Sequence, residues 1–215
     1  MSLSLGSSLS LAAPTGQEIL NGLSERYKGL TALEAAYSRT TQTPMSQGVF
    51  KTSTSQTAGG HLSWQKPAAL RLDQNRPTQE LMVTDGSTVW WYLPAEKQVH
   101  VYRKLNLAGE MAPLLSFLTN LSELKKSFKI KKSPEEPDRP GQMGLILEPK
   151  KKDSLTGQIA AFCDRNFQLT GFALIAVTGE RTDFYLTEVQ TASPPAGTFV
   201  FEVPRGVKII EETDQ

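Results

Sequence analysis

Few side chains in this sequence could carry out chemistry: its 215 residues include one cysteine and two histidines. Nucleophilic catalysis needs a nucleophile held by a base and a third orienting group, and a zinc site needs several Cys or His ligands. Cys163 stands in the run AAFCD, which is typical of a small core residue, and His61 and His100 fall near turns of predicted strands, where solvated or packed imidazoles are expected. The chain has no Gly-rich phosphate loop, no HExxH and no Gly-x-Ser-x-Gly. We therefore expect no enzyme, no metal site and no cofactor.

The charge balance excludes a second group of functions. Lys and Arg number 23 against 22 Asp and Glu, so the net charge of +1 gives no global reason to bind nucleic acid or an anionic membrane. Two basic clusters stand out, within residues 125–132 and at residues 150–152. We interpret both as solvated strand edges, where lysines also block unwanted strand pairing, with a docking patch for an acidic partner as the alternative. No nucleic-acid partner is expected.

The N-terminal segment is set apart from the rest of the chain. Residues 1–13 are rich in Ser and Leu, lack Lys and Arg, and end in small residues, which predicts the remnant of a secretory signal or an expression leader. The sequence contains no run of about 18 apolar residues, so no membrane-spanning helix is predicted. We assign residues 14–215 to a single domain and expect a monomer.

A helix is predicted directly after this segment. Thr15 and Glu18 have the spacing of a capping box, in which the two side chains satisfy free amides of the first turn. Four apolar residues then share one helical face: Ile19, Leu20, Leu23 and Tyr27. The helix should end near Gly29.

The chain then changes to short runs of period two bounded by turn residues, which predict an antiparallel meander. Asp85-Gly86 is a strong hairpin signal, because glycine tolerates the positive φ of a tight turn. A first strand begins at Leu33, and the strands that we predict after it are Gln47–Thr52, His61–Gln65, Ala69–Asp73, Glu80–Thr84, Thr88–Leu93, Gln98–Arg103, Gly144–Glu148, Gln158–Asp164, Leu169–Val177, Thr182–Gln190 and Thr198–Glu202.

An apolar helical segment interrupts the meander at Ala112–Ser127, with Pro113 suited to its first turn. The segment is unusually apolar for a surface element, so it should cover an apolar surface. The loop at residues 133–142, with three prolines and mixed charge, is predicted to be solvated. Together the elements predict an α+β fold with one domain, in which a curled antiparallel sheet forms an unclosed β-barrel and helices cover an apolar cavity.

The aromatic run Trp90-Trp91-Tyr92 places at least one large ring on each face of the sheet, because consecutive strand residues face opposite sides. In one interpretation one ring fills the core and the other lies on a wet surface. In the other, both faces are apolar, one against a packed exterior and one toward a ligand cavity.

Several motifs resemble the LolA family of periplasmic carriers of outer-membrane lipoproteins. They are Trp64–Leu72 (WQKPAALRL), Pro77–Tyr92 (PTQELMVTDGSTVWWY), Gln98-Val99 and Phe199–Val207 (FVFEVPRGV), and they occur in family order over about residues 15–210. The resemblance implies an unclosed barrel whose apolar cavity, covered by helices, carries acyl chains through the periplasm. It also implies three partners, namely acylated lipoproteins, an inner-membrane ABC transporter that releases them and an outer-membrane receptor.

Site residues follow partly from the resemblance and partly from periodicity. By resemblance, Leu70 and Leu72 face the cavity and the lid lies around Leu114, Leu115, Phe117 and Leu118. Periodicity adds four lipid-binding candidates: Ile19 and Leu23 on the helix, and Leu81 and Val83 on one face of a strand. Ordinary core packing is the alternative for each candidate. Lys66 replaces the arginine with which the family often ties its lid to the barrel, and lysine makes fewer oriented hydrogen bonds.

Three functions remain open on the sequence. The leading hypothesis is a lipoprotein carrier. A module for another lipid or glycolipid would use the same cavity, whereas a non-lipid interaction domain such as an envelope-stress sensor would have a fully packed core.

Overall fold

The structure is a computed structural model that describes residues 13–47, 50–103, 124–134, 138–151 and 157–212, with the side chains of residues 45–52 not described. These residues form two α-helices, α1 (Gly16–Arg26) and α2 (Leu124–Ser127), a 3-10 turn (Pro94–Glu96) and twelve strands. The strands are β1 (Ala32–Gln47), β2 (Phe50–Gln65), β3 (Ala69–Arg76), β4 (Glu80–Thr84), β5 (Thr88–Leu93), β6 (Gln98–Arg103), β7 (Phe128–Lys132), β8 (Met143–Pro149), β9 (Gln158–Cys163), β10 (Leu169–Ile175), β11 (Arg181–Gln190) and β12 (Lys208–Glu212).

All twelve strands belong to one sheet, in the order β12-β6-β5-β4-β3-β2-β1-β11-β10-β9-β8-β7. Every neighbouring pair is antiparallel except β12 and β6, which run parallel. The end strands β12 and β7 do not pair with each other, so the curled sheet is unclosed. This confirms the fold predicted from the sequence: a single domain, mostly sheet, with few helices.

Helix α1 begins at the predicted capping box. The Thr15 side chain accepts a hydrogen bond from the Glu18 N–H at 3.2 Å, and the Glu18 carboxylate accepts one from the Thr15 N–H at 2.7 Å. The helix packs against β7 and β8, where a Cβ on Gly16 would meet the backbone of Lys131. Ile19, Leu20 and Leu23 form its fully buried face, as the helical spacing predicts.

One face of the sheet carries the core, and we call it the inner face. Cross-strand register places Leu33, Trp64 and Leu70 in one row of this face. The next row contains Leu62 and Leu72 on β2 and β3. These side chains are buried in a cluster that also includes the apolar face of α1. Because each such side chain contributes about 1.5–3 kcal/mol when fully buried, this cluster is the main source of stability.

The opposite face, here the outer face, is covered near β3–β6 by the C-terminal segment at residues 191–207. This segment has no regular strand, so the predicted strand Thr198–Glu202 is wrong. Two prolines, Pro194 and Pro195, and a glycine with positive φ, Gly197, interrupt the extended pattern here. The Phe201 ring instead packs on the outer face, and the chain then continues into β12.

Other predicted elements need correction. The range Gln47–Thr52 is not one strand, because Gln47 ends β1 and pairs with Phe50, which begins β2. The loop at residues 133–142 is not fully solvated, since Ser133 and Arg139 are buried. Of the predicted helix Ala112–Ser127, residues 124–127 are helical and the remainder lies outside the described residues.

The lysines of β7 lie at an edge of the sheet. Phe128 and Ile130 point to the inner face and join the core, whereas Lys129 and Lys131 alternate with them and are exposed. Lys131 pairs with Glu148 of β8 at 2.7 Å. The lysines of β7 therefore lie on a solvated strand edge as predicted, whereas Lys125 and Lys126 of the same cluster lie in α2.

Candidate functional site: the inner face of the sheet

Leu70 and Leu72 lie on the inner face of β3, where they are 2% and 8% exposed. The strand alternates strictly, so the residues between them point outward. On the outer face Arg71 donates two hydrogen bonds to the Asp73 carboxylate, at 2.6 and 2.8 Å, and one to the carbonyl oxygen of Thr198 at 3.2 Å. This alternation makes the inner side of β3 apolar at Leu70 and Leu72, whereas Gln74, the next inner residue, is buried and accepts a hydrogen bond from Arg39.

Helix α1 contributes two further predicted site residues. Ile19 and Leu23 are fully buried and belong to the same contiguous cluster as Leu70 and Leu72. The helix contacts β7 and β8, on the opposite side of the sheet order from β3. One buried apolar cluster therefore extends along the inner face from β3 to β8, and it includes these four residues.

Leu81 and Val83 are not brought together with them. In the register of β3 and β4, Leu81 stands opposite Asp73 and Val83 opposite Arg71, so both lie on the outer face. Val83 is fully buried and Leu81 is half-buried. The residue between them, Met82, stands opposite Leu72 on the inner face and packs against its cluster. Periodicity shows that Leu81 and Val83 share a face but does not show which one.

The predicted lid residues Leu114, Leu115, Phe117 and Leu118 lie outside the described residues. The described end of that segment, α2, buries Leu124 in the core cluster of the inner face. Lys66 follows β2 directly, with an exposed side chain and a backbone N–H that donates to the Thr31 carbonyl at 2.9 Å. Its predicted contact with the lid remains a prediction.

Sequence reasoning missed Trp64 and Met82 as residues of this face. Trp64 is fully buried between Leu33 and Leu70 in the cross-strand register. Its alternation with Leu62 along β2 is the signal that would have placed it there.

Comparison with known proteins agrees with this geometry. The family model described as "Outer membrane lipoprotein carrier protein LolA" matches residues 36–202. The chain belongs to the LolA family. A relative named "Outer-membrane lipoprotein carrier protein" from Hahella chejuensis is 30% identical over 207 residues, which cover 94% of this chain and 91% of that protein. A relative of the same name from Aliivibrio fischeri (strain MJ11) is 24% identical over 211 residues, which cover 98% of this chain and 96% of that protein.

One solved structure is similar to this chain in fold only. An uncharacterized conserved protein from Thermus thermophilus has a TM-score of 0.50 and 11% identity, covering 91% of this chain and 98% of that chain.

In this LolA-family chain the aromatic run Trp90-Trp91-Tyr92 places large rings on both faces of the sheet. On the outer face, Trp90 and Tyr92 pack on Phe201, with ring centroids 6.3 and 5.8 Å apart. On the inner face, Trp91 lies 5.6 Å from His100 and donates from Nε1 to the Glu80 carboxylate at 3.3 Å. The outer rings thus pack on the C-terminal segment and remain partly exposed.

Cys163, His100 and His61, the residues first considered for chemistry, are held by burial or by a neighbouring carboxylate. Burial, and secondarily the neighbouring Asp164, raise the pKa of the Cys163 thiol to about 12, which suppresses the nucleophilic thiolate. His100 pairs with Glu212 at 2.7 Å, and His61 lies 3.5 Å from Glu34.

Two kinds of feature are absent from the described residues. No group of three or more His, Cys, Asp or Glu side chains among them is arranged to hold a metal ion. None of the helices in the described ranges is long and apolar enough to cross a membrane.

Proposed function

We propose that this LolA-family protein is a periplasmic carrier, which binds the acyl chains of lipoproteins against the inner face and moves them from the inner to the outer membrane. The observation that carries the proposal is the continuous buried apolar cluster on the inner face, to which β3, β8 and α1 contribute, in a chain whose family is named for lipoprotein carriage.

A carrier of this kind answers a physical need. Burying a methylene group stabilises by about 0.8 kcal/mol, so one sixteen-carbon chain holds a lipoprotein in a bilayer by on the order of 10 kcal/mol. A lipoprotein with several such chains does not cross water unaided. A protein surface that replaces the bilayer lowers this barrier only if it is apolar over the length of the chain.

Aliphatic lining also suits release. Leu70, Leu72 and the α1 residues Ile19 and Leu23 offer contact without fixed geometry, so the affinity grows with contact area and falls as the chain withdraws. Leu70 and Leu72 are buried in the structure. The role of the segment at residues 112–124 as a cover of this face stays a prediction from the sequence. Leu81 and Val83 are left out, because they lie on the outer face.

The proposed route needs a donor and an acceptor. An inner-membrane ABC transporter releases the lipoprotein to the carrier, and an outer-membrane receptor takes it. The protein itself contributes a binding surface and no bond-breaking step.

Extraction from vesicles tests the proposal. Vesicles that contain a labelled triacylated lipopeptide are mixed with the protein, and flotation separates the membrane-bound label from the soluble label. We expect a soluble complex with the wild type and with Val177→Gln, a control at a turn residue that is 70% exposed. Leu72→Gln should extract at least tenfold less, because an amide at this buried apolar position loses water without gaining a partner, and its circular dichroism spectrum is recorded to show that the variant still folds. The proposal is contradicted if the label stays in the vesicles when the wild type is added. It is also contradicted if Leu72→Gln extracts as much label as the wild type.

A further inference from the structure

Trp64 holds a buried polar atom that the fold does not use. The side chain is fully buried on the inner face, and its indole Nε1 has no hydrogen-bond partner among the residues that the structure describes. A buried N–H that loses water without gaining an acceptor costs free energy, so such groups are rare in proteins and call for a specific explanation. The inner-face indole of Trp91 differs, because its N–H donates to Glu80.

The surroundings of Trp64 are apolar on both neighbouring strands. The directly opposite residues on the inner face are Leu33 of β1 and Leu70 of β3. Trp64 is also the penultimate residue of β2, and Lys66, two positions later, is exposed. The indole therefore lies near the end of the strand, between the apolar interior of the sheet and its polar border.

A bound acyl chain has the matching polarity. Its tail is purely apolar, while an ester or amide carbonyl stands at its head and can only accept hydrogen bonds. We propose that Trp64 Nε1 donates a hydrogen bond to this carbonyl oxygen, and that the site thereby prefers acyl chains to alkyl chains of equal length. This inference rests on the proposed function and names the chemical feature that the same site recognises.

Binding of a matched lipid pair tests the inference. The first is a lipopeptide with two ester-linked chains, and the second is its dialkyl ether counterpart, which lacks the carbonyls but keeps the chain length. The wild type should bind the ester lipid about fivefold to tenfold more tightly, the ratio expected of one hydrogen bond. Trp64→Phe should lose this preference by weakening the ester lipid alone. Trp91→Phe, the matched control, should keep it.

A spectroscopic measurement on the wild type removes dependence on the folding of Trp64→Phe. The protein has three tryptophans, so Trp90→Phe and Trp91→Phe identify the indole N–H resonance of Trp64 by elimination. This resonance should shift downfield with the ester lipid and stay in place with the ether lipid.

The possible failures are distinguishable. If both lipids bind equally to the wild type and the Trp64 resonance responds to both alike, the inference is overturned while the carrier proposal stands. If neither lipid binds, the carrier proposal and the role of Trp64 are both wrong.

Discussion

Replacing Arg139 by alanine should be among the most destabilising single changes on the outer face of the sheet. Arg139 lies in the connection between β7 and β8, yet it is only 1% exposed. Its guanidinium stands 4.1 Å from the ring centroid of Phe162 and 3.9 Å from that of Tyr185. It also donates a hydrogen bond to the Phe184 carbonyl oxygen at 3.1 Å.

The space for this guanidinium is provided by Gly171 of β10, where a Cβ would meet Arg139 Nη1 and the Phe184 carbonyl oxygen. The charge of Arg139 is balanced by Asp183, whose carboxylate lies 3.4 Å away and also accepts two hydrogen bonds from Arg181, at 2.7 and 2.9 Å. The group is therefore buried, paired and stacked at once.

The expected cost follows from these contacts. A desolvated cation–π contact contributes up to about 2 kcal/mol, and a hydrogen bond from a charged group contributes about 1.5–3 kcal/mol. Contributions within one network do not add, and Asp183 stays paired with Arg181 when Arg139 is removed. We therefore expect Arg139→Ala to lower the free energy of unfolding by about 2–4 kcal/mol. Arg139→Lys should fall between, because lysine keeps the charge but loses the planar fork.

Chemical denaturation followed by circular dichroism measures this loss, with Arg103→Ala as the matched control. Arg103 forms a two-bond pair with Glu211, but both side chains are at least half exposed, so its loss should change the free energy of unfolding much less than the loss of Arg139 does. Equal, small losses in the two alanine variants would refute the reasoning that burial and stacking make Arg139 important.

Two further predictions concern titratable groups. Because burial raises the pKa of Cys163 to about 12, its labelling by a thiol reagent at pH 8 should be at least a hundredfold slower in the native protein than in denaturant, and equal rates would show an accessible thiol. Hydrogen bonds from the Thr15 backbone and then its side chain lower the pKa of Glu18 below 4.5, so its stabilising effect is complete above that value and lost as the pH falls through the folded-state pKa. Glu18→Gln should therefore be less stable than the wild type at pH 7 and converge with it in acid, as thermal unfolding across pH would show, whereas a pH-independent gap would contradict this.

The central strands were predictable because their signals are local. The observed bounds of β4, β5 and β6 are those predicted from alternation and turn residues. At Asp85-Gly86 the glycine has φ +97°, and the Asp85 carboxylate accepts backbone hydrogen bonds from Ser87 and Thr88. Short loops with such chemistry fix both the turn and the register of the strands around it.

The remainder depends on contacts distant in sequence. Strand β12 pairs in parallel with β6 across about a hundred residues, and no local pattern announces that partner. The hairpin of β1 and β2 is rich in Ser, Thr and Gln near its tip, so its alternation carries little hydrophobic signal there.

The candidate site, like the fold, could be predicted only in part. The family resemblance, rather than periodicity, pointed to Leu70 and Leu72, and the structure buries both on the inner face of β3 while Arg71 lies on the outer face. The run from Leu81 to Val83 is apolar on both faces, since the C-terminal segment covers the outer one near β4 and β5. Period alone cannot choose a face in a strand that is apolar on both sides.

Photocrosslinking from the two faces tests the central claim most directly. A diazirine-bearing aliphatic amino acid close in size to leucine is placed at position 72 on the inner face, or at position 81 on the outer face, and the protein is loaded with a lipopeptide whose acyl chains are radiolabelled. Irradiation should attach label at position 72 and leave position 81 unlabelled. Label at position 81 as strong as at position 72, or no label at either position, would contradict binding of acyl chains on the inner face.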